Sequence, residues 1–298
     1  MPRCGVRRRC FSAIWPRESA KPRESRAFLR MLGSRAVPPT PGWWRDGLRL
    51  YWLSSAFGAR ARILPRYDFY RFVEHGLIYG QIVRDAQEGS RILDVGTERS
   101  LLPLALALRR RYVIYITDIL PRMLAYHRAK IQKVGLQDDA REARIIVDCQ
   151  DACRMSFVDG SFDWVTCVSM VNGLRDTGDR DAMGEIGRVL RPGGRAIVTV
   201  PYGPYAEREP PLRPYFTRAY DDAAIDRRLL EPSGLREEAR WYFGDQGTWS
   251  RMYWGDMPRP VREFAWVTTP LWTRLSVRVD RTPFPNSGGV ILVARKPG

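Results

Sequence analysis

The stretch RILDVGTERSLLP at residues 91–103 decides the fold. A short apolar run that contains Asp94 meets Gly96, and the residues after it favour a helix. Glycine at such a turn lets a ligand approach the backbone where a side chain would block it, and the following helix offers free N–H groups. The stretch therefore predicts the first strand–turn–helix unit of an α/β fold, with Gly96 at a binding turn.

The same alternation of short apolar runs and longer helical segments continues along the chain, which is typical of parallel βαβ units. Predicted strands lie at 91–95, 112–117, 144–148, 163–169, 195–200, 238–243 and 289–294. Predicted helices lie at 100–110, 121–134, 178–190 and 219–231. The series predicts an α/β fold with a doubly wound, mostly parallel seven-stranded sheet.

The remaining segments extend this core. Residues 1–42 are expected to form a disordered basic leader that ends in the run VPPTPG. Residues 43–83 are aromatic and helix-compatible, with Pro65 between two predicted helices, and we expect them to form a helical cap. The α/β domain then spans 84–298, with a lid-like insertion at 244–287 before the last strand.

Charge and composition argue against two classes of protein, those that bind nucleic acid and those that span a membrane. The chain carries a net charge of +16, but its first 40 residues hold ten basic residues against two acidic ones, so the folded part is only mildly basic. Since no nucleic-acid-binding motif accompanies this charge, nucleic acid is not expected as a partner. The longest uncharged apolar stretch, Leu101–Leu108, is far shorter than the roughly 20 residues of a membrane span.

The five cysteines form neither an even disulfide framework nor a paired CxxC pattern. They predict free thiols in a reducing compartment, a cytoplasmic location and no metal site.

A second chemical signal follows the second predicted strand, which ends in Asp118. An acidic residue in that position of a doubly wound fold accepts hydrogen bonds from ribose hydroxyls, and a carboxylate can accept from two hydroxyls at once. Asp118 is therefore a candidate ligand-binding residue.

Five motifs in order extend these two signals: ILDVG (92–96), YITDILPRML (115–124), QDA (150–152), SFDWV (161–165) and EIGRVLRPGGR (185–195). Together they resemble the class I S-adenosylmethionine-dependent methyltransferases, in particular the type 11 group. The resemblance covers about 67–243 and the last strand. It implies a Rossmann-like methyltransferase enzyme with S-adenosylmethionine as its cofactor.

The resemblance also implies roles for matching residues. Asp94 and Gly96 would border the methionine part of the cofactor, Asp118 would accept from the ribose hydroxyls, Asp151 and Ala152 would face the adenine, and Ser169 would lie beside the methyl group. Ile119 is a further cofactor-binding candidate. Structural alternatives stay open for three of them: Asp94 as a cap or loop brace, Asp151 as a turn residue, and Ser169 as a strand end.

The chain departs from the family at the glycine turn, where Glu98 and Ser100 occupy positions that usually hold glycine. The motif SLLPL (100–104) matches relatives that tolerate serine. The Glu98 carboxylate would repel the cofactor's carboxylate, pair with its ammonium, or point outward to Arg99 or Arg122.

No catalytic residue is assigned, because methyl transfer depends mainly on alignment and on exclusion of water. His75, Asn172, Tyr202 and Tyr205 are the candidates for a substrate pocket, with a packed histidine as the alternative for His75. The family often has an acidic-His pair after the fourth strand, where this chain has Asn172 and Gly173. His127 is expected to face solvent.

The 244–287 insertion is rich in tryptophan and arginine, which predicts a lid or a partner surface, including peripheral contact with a membrane. We expect a small-molecule or lipid-linked acceptor. The alternatives are an RNA methyltransferase and a non-catalytic cofactor-binding or scaffold protein with the same fold.

Overall fold

The computed structural model describes residues 42–57, 69–208, 216–245 and 267–298. The predicted leader, apart from Gly42, and much of the predicted insertion lie outside these residues. Five aromatic residues on which the lid prediction rests also lie outside the described residues: Trp249, Tyr253, Trp254, Phe264 and Trp266.

Within the described residues, one eight-stranded sheet forms the centre of the molecule. Its strands are β1 (Arg91–Val95), β2 (Val113–Asp118), β3 (Ile145–Cys149), β4 (Phe162–Val168), β5 (Leu190–Pro201), β8 (Arg236–Asp245), β9 (Val277–Asp280) and β10 (Ser287–Arg295). They lie in the order β3-β2-β1-β4-β5-β10-β8-β9. The first five are parallel, and β10, β8 and β9 add antiparallel pairs. A separate antiparallel ribbon joins β6 (Ala206–Arg208) to β7 (Thr217–Ala219).

The strand order reverses between β1 and β4, which are neighbours in the sheet. The connections from β1 and from β4 therefore leave towards opposite faces, and a crevice opens at their carboxyl ends. Ligands bind at this switch point in doubly wound sheets. The topology thus places the turn at Gly96 beside the residues that follow Val168.

Helices cover both faces of the sheet. They are α1 (Trp43–Phe57), α2 (Phe69–Asp85), α3 (Leu102–Ala107), α4 (Pro121–Lys133), α5 (Gln137–Arg141), α6 (Gly178–Val189), α7 (Asp222–Ile225), α8 (Glu231–Ser233) and α9 (Thr269–Ser276). Alternate strand residues enter two apolar cores: Ile92 and Trp164 belong to one core, and Leu93 and Val165 to the other. This alternation is the period-two pattern expected of strands buried on both faces.

The strand and helix pattern agrees with the doubly wound prediction, but the sheet is larger than predicted. Seven strands were expected, and β9 is an eighth, because part of the 244–287 insertion pairs with β8. The segment predicted as one helix at 219–231 consists of α7, a π-helical stretch at Asp226–Leu230 and α8. The eighth strand follows from pairing at the sheet edge, which local sequence patterns do not encode.

The two helices predicted as a cap pack closely because of two glycines. A Cβ atom on Gly76 of α2 would lie 2.4 Å from the Trp43 carbonyl oxygen, and one on Gly47 of α1 would lie 2.7 Å from the Phe72 ring. On the other side of α1, the Trp44 indole donates to the Pro270 carbonyl in α9 at 2.9 Å. The described part of the insertion thus packs against the cap.

None of the helices in the described part of the chain is long and apolar enough to cross a membrane.

Candidate functional site

A cavity of about 600 Å³ opens at the carboxyl ends of β1, β2 and β4, with α1 and α2 on one side. This volume falls within the range of small-molecule sites in proteins. All seven residues predicted to hold the cofactor line it: Asp94, Gly96, Asp118, Ile119, Asp151, Ala152 and Ser169. The structure therefore brings together residues from four separate turns.

Gly96 forms the floor of the cavity at the end of β1. Its φ is +65°, a region that favours glycine, and a Cβ atom on it would lie 2.2 Å from the Met170 side chain. The lack of a side chain at Gly96 thus allows both this φ and the close approach of Met170, and Gly96 itself lines the cavity.

Asp94 brings a buried carboxylate to the cavity. Its Oδ1 accepts a hydrogen bond from the Thr166 hydroxyl of β4, whereas its Oδ2 has no hydrogen-bond partner among the described residues. Burial raises the pKa of Asp94 to about 6, against the smaller opposing effects of the Thr166 and Thr97 hydroxyls. At the N-terminus of α3, the Leu102 N–H donates to the Ser100 hydroxyl at 3.2 Å, and the hydrogen bond found for the Asp94 carboxylate comes from Thr166, so Asp94 does not cap this helix.

Asp118 is also buried, and both of its oxygens are in use. Oδ1 accepts from the Leu120 N–H at 2.8 Å, and Oδ2 accepts from the Glu98 N–H at 2.9 Å. Because each carboxylate oxygen has two lone pairs, the group can still accept from two ligand hydroxyls. Asp118 therefore shapes the turn after β1 as well as facing the cavity.

Glu98 adopts a left-handed conformation, with a φ of +45°. This explains why glycine is favoured at its position. The side chain lines the cavity and is exposed, and no ion pair joins it to Arg99, Arg122 or any other described residue. The outward pairing considered for Glu98 is thus not observed.

The expectation that His127 faces solvent is wrong, because the side chain is fully buried. Its Nε2 lies 3.0 Å from the Glu98 carbonyl oxygen and 3.4 Å from the Thr97 hydroxyl. Burial lowers the pKa of His127 to about 4, so the ring is neutral at pH 7 and Nε2 can donate to the carbonyl. The helical pattern around His127 did not reveal this, because the turn it contacts lies 29 residues away.

The rim of the cavity at β2 and β3 is formed by exposed Ile119 and by the QDA motif. Asp151 Oδ1 accepts from the Cys153 N–H at 2.9 Å. Asp151 is therefore a turn residue as well as a lining residue, and the two interpretations are compatible.

The cap contributes a buried carboxylate next to the cavity. Glu74 of α2 is only 1% exposed, and its Oε1 accepts from the hydroxyls of Ser169 and Thr199, each at 2.8 Å. Its Oε2 lies 2.7 Å from the Arg71 guanidinium, which itself lines the cavity. We refer to Arg71, Glu74, Ser169 and Thr199 as the cap cluster.

His75, the residue after Glu74, also lines the cavity. It is 2% exposed, and its Nε2 lies 3.3 Å from the Ser100 hydroxyl. Burial, assisted by the positive charge of Arg71, holds the pKa of His75 well below its ordinary value. A neutral imidazole at this position can accept a hydrogen bond.

The other three predicted pocket residues are not among the described residues that line this cavity. Asn172 is buried and its amide nitrogen lies 3.2 Å from the Thr217 hydroxyl, while Tyr202 donates to Asp222 and Tyr205 donates to Glu207. After β5, Tyr202 pairs with Tyr220 and contacts Asp222 of α7, while Tyr205 contacts Glu207 of β6, so both tyrosines belong to a neighbouring region and not to the cavity lining.

Sequence reasoning missed several lining residues: Ser54, Arg71, Arg99, Tyr126, Met170 and Leu174. Three of them, Ser54, Arg71 and Tyr126, lie on helices, where a single polar or aromatic residue gives no local signal. The nearest available hint was the occurrence of Arg71, Glu74 and His75 in the first half of α2, whose residues are otherwise apolar up to Gly80.

A sequence model described as a methyltransferase domain matches residues 93–198. The demethylmenaquinone methyltransferase of Thermus thermophilus is 34% identical over 149 residues, which cover 46% of this chain and 62% of that protein. The chain spans less than two thirds of the length of the first curated relatives it matches, with shares of 62%, 56% and 46%.

Among solved structures, the [4+2]-cyclase SpnF shares the fold with a TM-score of 0.52 and 20% identity, over 89% of this chain and 98% of that one. The 1,6-didemethyltoxoflavin-N1-methyltransferase of Burkholderia thailandensis, solved with S-adenosylhomocysteine and its substrate, gives a TM-score of 0.50 and 14% identity, over 89% and 94%. At these identities the structural likeness concerns the fold alone.

Proposed function

We propose that this chain, which contains a class I S-adenosylmethionine-dependent methyltransferase domain, transfers a methyl group from S-adenosylmethionine to a small-molecule or lipid-linked acceptor. The cavity at the switch point carries this proposal, because it brings Asp94, Gly96 and Asp118 to one face. The products of the proposed reaction are the methylated acceptor and S-adenosylhomocysteine.

The residues fit this cofactor. The unpartnered Oδ2 of Asp94 is a buried acceptor that suits the ammonium of the methionine part. Gly96 lines the cavity without a side chain of its own, and Asp118 keeps lone pairs for the ribose hydroxyls. We assign Asp151 and Ala152 to the adenine, and exposed Ile119 lines the same rim of the cavity.

When bound, S-adenosylmethionine supplies a methyl group on a positively charged sulfur. The chain's residues then have to align the acceptor with that group and keep water out. We assign Ser169, which directly follows β4, to the methyl end of the cavity, and Met170 and Leu174 are apolar residues of the same lining. The neutral ring of His75 can accept a hydrogen bond from an acceptor hydroxyl.

The acceptor class rests on two supports. The methyl end combines apolar side chains with the few polar groups of Arg71, His75 and Ser54, which suits an aromatic ring that carries hydroxyl groups. In addition, several relatives are named as methyltransferases of demethylmenaquinone or ubiquinone/menaquinone biosynthesis. A reduced quinone ring is therefore the first acceptor to test.

We assign the closing role to α1 and α2, with the described end of the insertion as their support. The cavity lining includes Ser54 of α1 and Arg71 and His75 of α2. Helix α9 contacts α1 through the hydrogen bond from Trp44 to Pro270, and its residues are not among those that line the cavity. Binding of the cofactor and acceptor together should therefore protect the amides of α2 from hydrogen exchange more than those of α9.

Purified protein, S-adenosylmethionine labelled in its methyl group and a panel of reduced demethylquinones, phenols and short RNAs would test the function. We expect label to enter a quinol or phenol, with an equal amount of S-adenosylhomocysteine formed. Calorimetry with S-adenosylhomocysteine tests the cofactor site separately.

Three results would count against the proposal. Label that enters only RNA would support the RNA methyltransferase. Tight binding of S-adenosylhomocysteine without transfer to any acceptor would favour a non-catalytic protein. Absence of binding would contradict the cofactor assignment itself.

A further inference from the structure

The turn after β1 contains a strain that cofactor contacts alone do not explain. Glu98 holds a φ of +45°, in the left-handed region where a residue with a Cβ atom is disfavoured. Such a conformation persists only where the surroundings impose it. Something else in the fold must therefore hold Glu98 in place.

Two hydrogen bonds hold its backbone, one on each side. The Glu98 N–H donates to Asp118 Oδ2 at 2.9 Å, and the Glu98 carbonyl oxygen accepts from His127 Nε2 at 3.0 Å. Asp118 ends β2, and His127 lies on the helix that follows it. The turn is thus clamped from the next strand–helix unit.

The environment of His127 shows what its ring contributes. The ring is fully buried, and its Nδ1 has no hydrogen-bond partner among the described residues. Leaving a buried ring nitrogen unpaired costs free energy, and an apolar side chain would fill the same space without that cost. The polar contact of the imidazole is therefore directed to the turn, at the Glu98 carbonyl and the Thr97 hydroxyl.

We propose that His127 is a positioning residue of the cofactor site, which holds Glu98 in its left-handed conformation and so keeps the turn from Gly96 to Ser100 shaped for the cofactor. This role rests on the proposed function. His127 does not line the cavity, so it acts through the Glu98 backbone and not by contact with the cofactor.

A matched pair of variants tests this role. The amide nitrogen of glutamine reaches about as far as the histidine Nε2, whereas that of asparagine reaches only about as far as Nδ1. We expect His127→Asn to weaken S-adenosylhomocysteine binding about tenfold and to raise the KM for S-adenosylmethionine with little change in kcat. His127→Gln should stay within about threefold of the parent, because it can still donate to the Glu98 carbonyl.

The same pair in a Glu98→Gly background gives the second readout. Glycine adopts a positive φ without steric cost, so the turn should depend less on His127. We expect the affinity loss of His127→Asn to shrink to about threefold or less in that background. Thermal unfolding of all variants separates this effect from a general loss of stability.

Three outcomes would overturn the inference. One is equal affinity for the asparagine and glutamine variants, and another is an unchanged loss in the Glu98→Gly background. The third is a lower melting temperature with unchanged affinity, which shows a packing role only. A parent protein that does not bind S-adenosylhomocysteine contradicts the proposed function itself, and this role with it.

Discussion

The two walls of the cavity are built in different ways. The sheet wall consists of turns that directly follow β1, β2, β3 and β4, and its polar groups hold each other through backbone hydrogen bonds such as those of Asp118. The cap wall is a helix that precedes the sheet in the chain, and it meets the sheet through the side chains of the cap cluster. The difference separates a preformed surface, to which we propose that the cofactor binds, from a surface that depends on docking of α2, to which we propose that the acceptor binds.

The largest expected effect tests the sheet wall. Asp118→Ala should weaken S-adenosylhomocysteine binding by about 2 to 4 kcal/mol, because the ribose contacts are lost and the N–H groups of Glu98 and Leu120 lose their acceptor. Calorimetry measures this change. Asp118→Asn, which keeps one carbonyl oxygen, should lose less. Binding by the alanine variant within twofold of the parent would remove the central residue of the proposed site.

The second prediction tests the cap wall. Glu74→Ala leaves Arg71 and the hydroxyls of Ser169 and Thr199 without their buried acceptor, so the free energy of unfolding should fall by about 2 kcal/mol. Acceptor turnover should fall about tenfold or more, since the methyl end loses its shape. Affinity for S-adenosylhomocysteine should stay within about threefold of the parent.

Urea unfolding and calorimetry check these expectations, with Glu88→Ala as the control because Glu88 is an exposed glutamate just beyond α2. The control should change neither quantity. If Glu74→Ala weakened cofactor binding as strongly as Asp118→Ala, the two walls would form one coupled site.

The third prediction concerns pH and sharpens the assignment of Asp94. Its pKa is raised from 3.8 to about 6, so the carboxylate takes up a proton as pH falls through 6. The bound ammonium favours the ionised form, so affinity for S-adenosylhomocysteine should be full above about pH 7 and fall about tenfold by pH 5. Calorimetry across this range measures the slope. A flat profile, or the same slope in Asp94→Asn, would show that Asp94 does not pair with the ammonium.

The smallest expected effect concerns Glu98. Glu98→Gly removes the strain of a positive φ, which is worth about 1 kcal/mol, while the backbone bonds to Asp118 and His127 can remain. Cofactor affinity should therefore hold or tighten slightly. A loss of tenfold or more, about 1.4 kcal/mol, would show that the Glu98 carboxylate contacts the cofactor directly.

The sequence by itself determined the order of strands and helices and the residues of the sheet wall. Asp94, Gly96 and Asp118 could be identified because a parallel strand places its functional residues directly after its last apolar residue, so chain position and spatial position coincide. The same local logic predicted most element bounds to within a few residues.

Only the tertiary structure decided which side chains are buried and which residues of distant elements contact each other. Whether His127 is buried, whether Glu74 meets Ser169, and whether Tyr202 lies above the methyl end all depend on how elements far apart in the chain pack. An α-helix has 3.6 residues per turn, so the sequence pattern indicates which residues share a face of the helix. It does not indicate which neighbouring element that face contacts. The eighth strand has the same origin, because a sheet edge accepts any segment that can satisfy its free backbone groups.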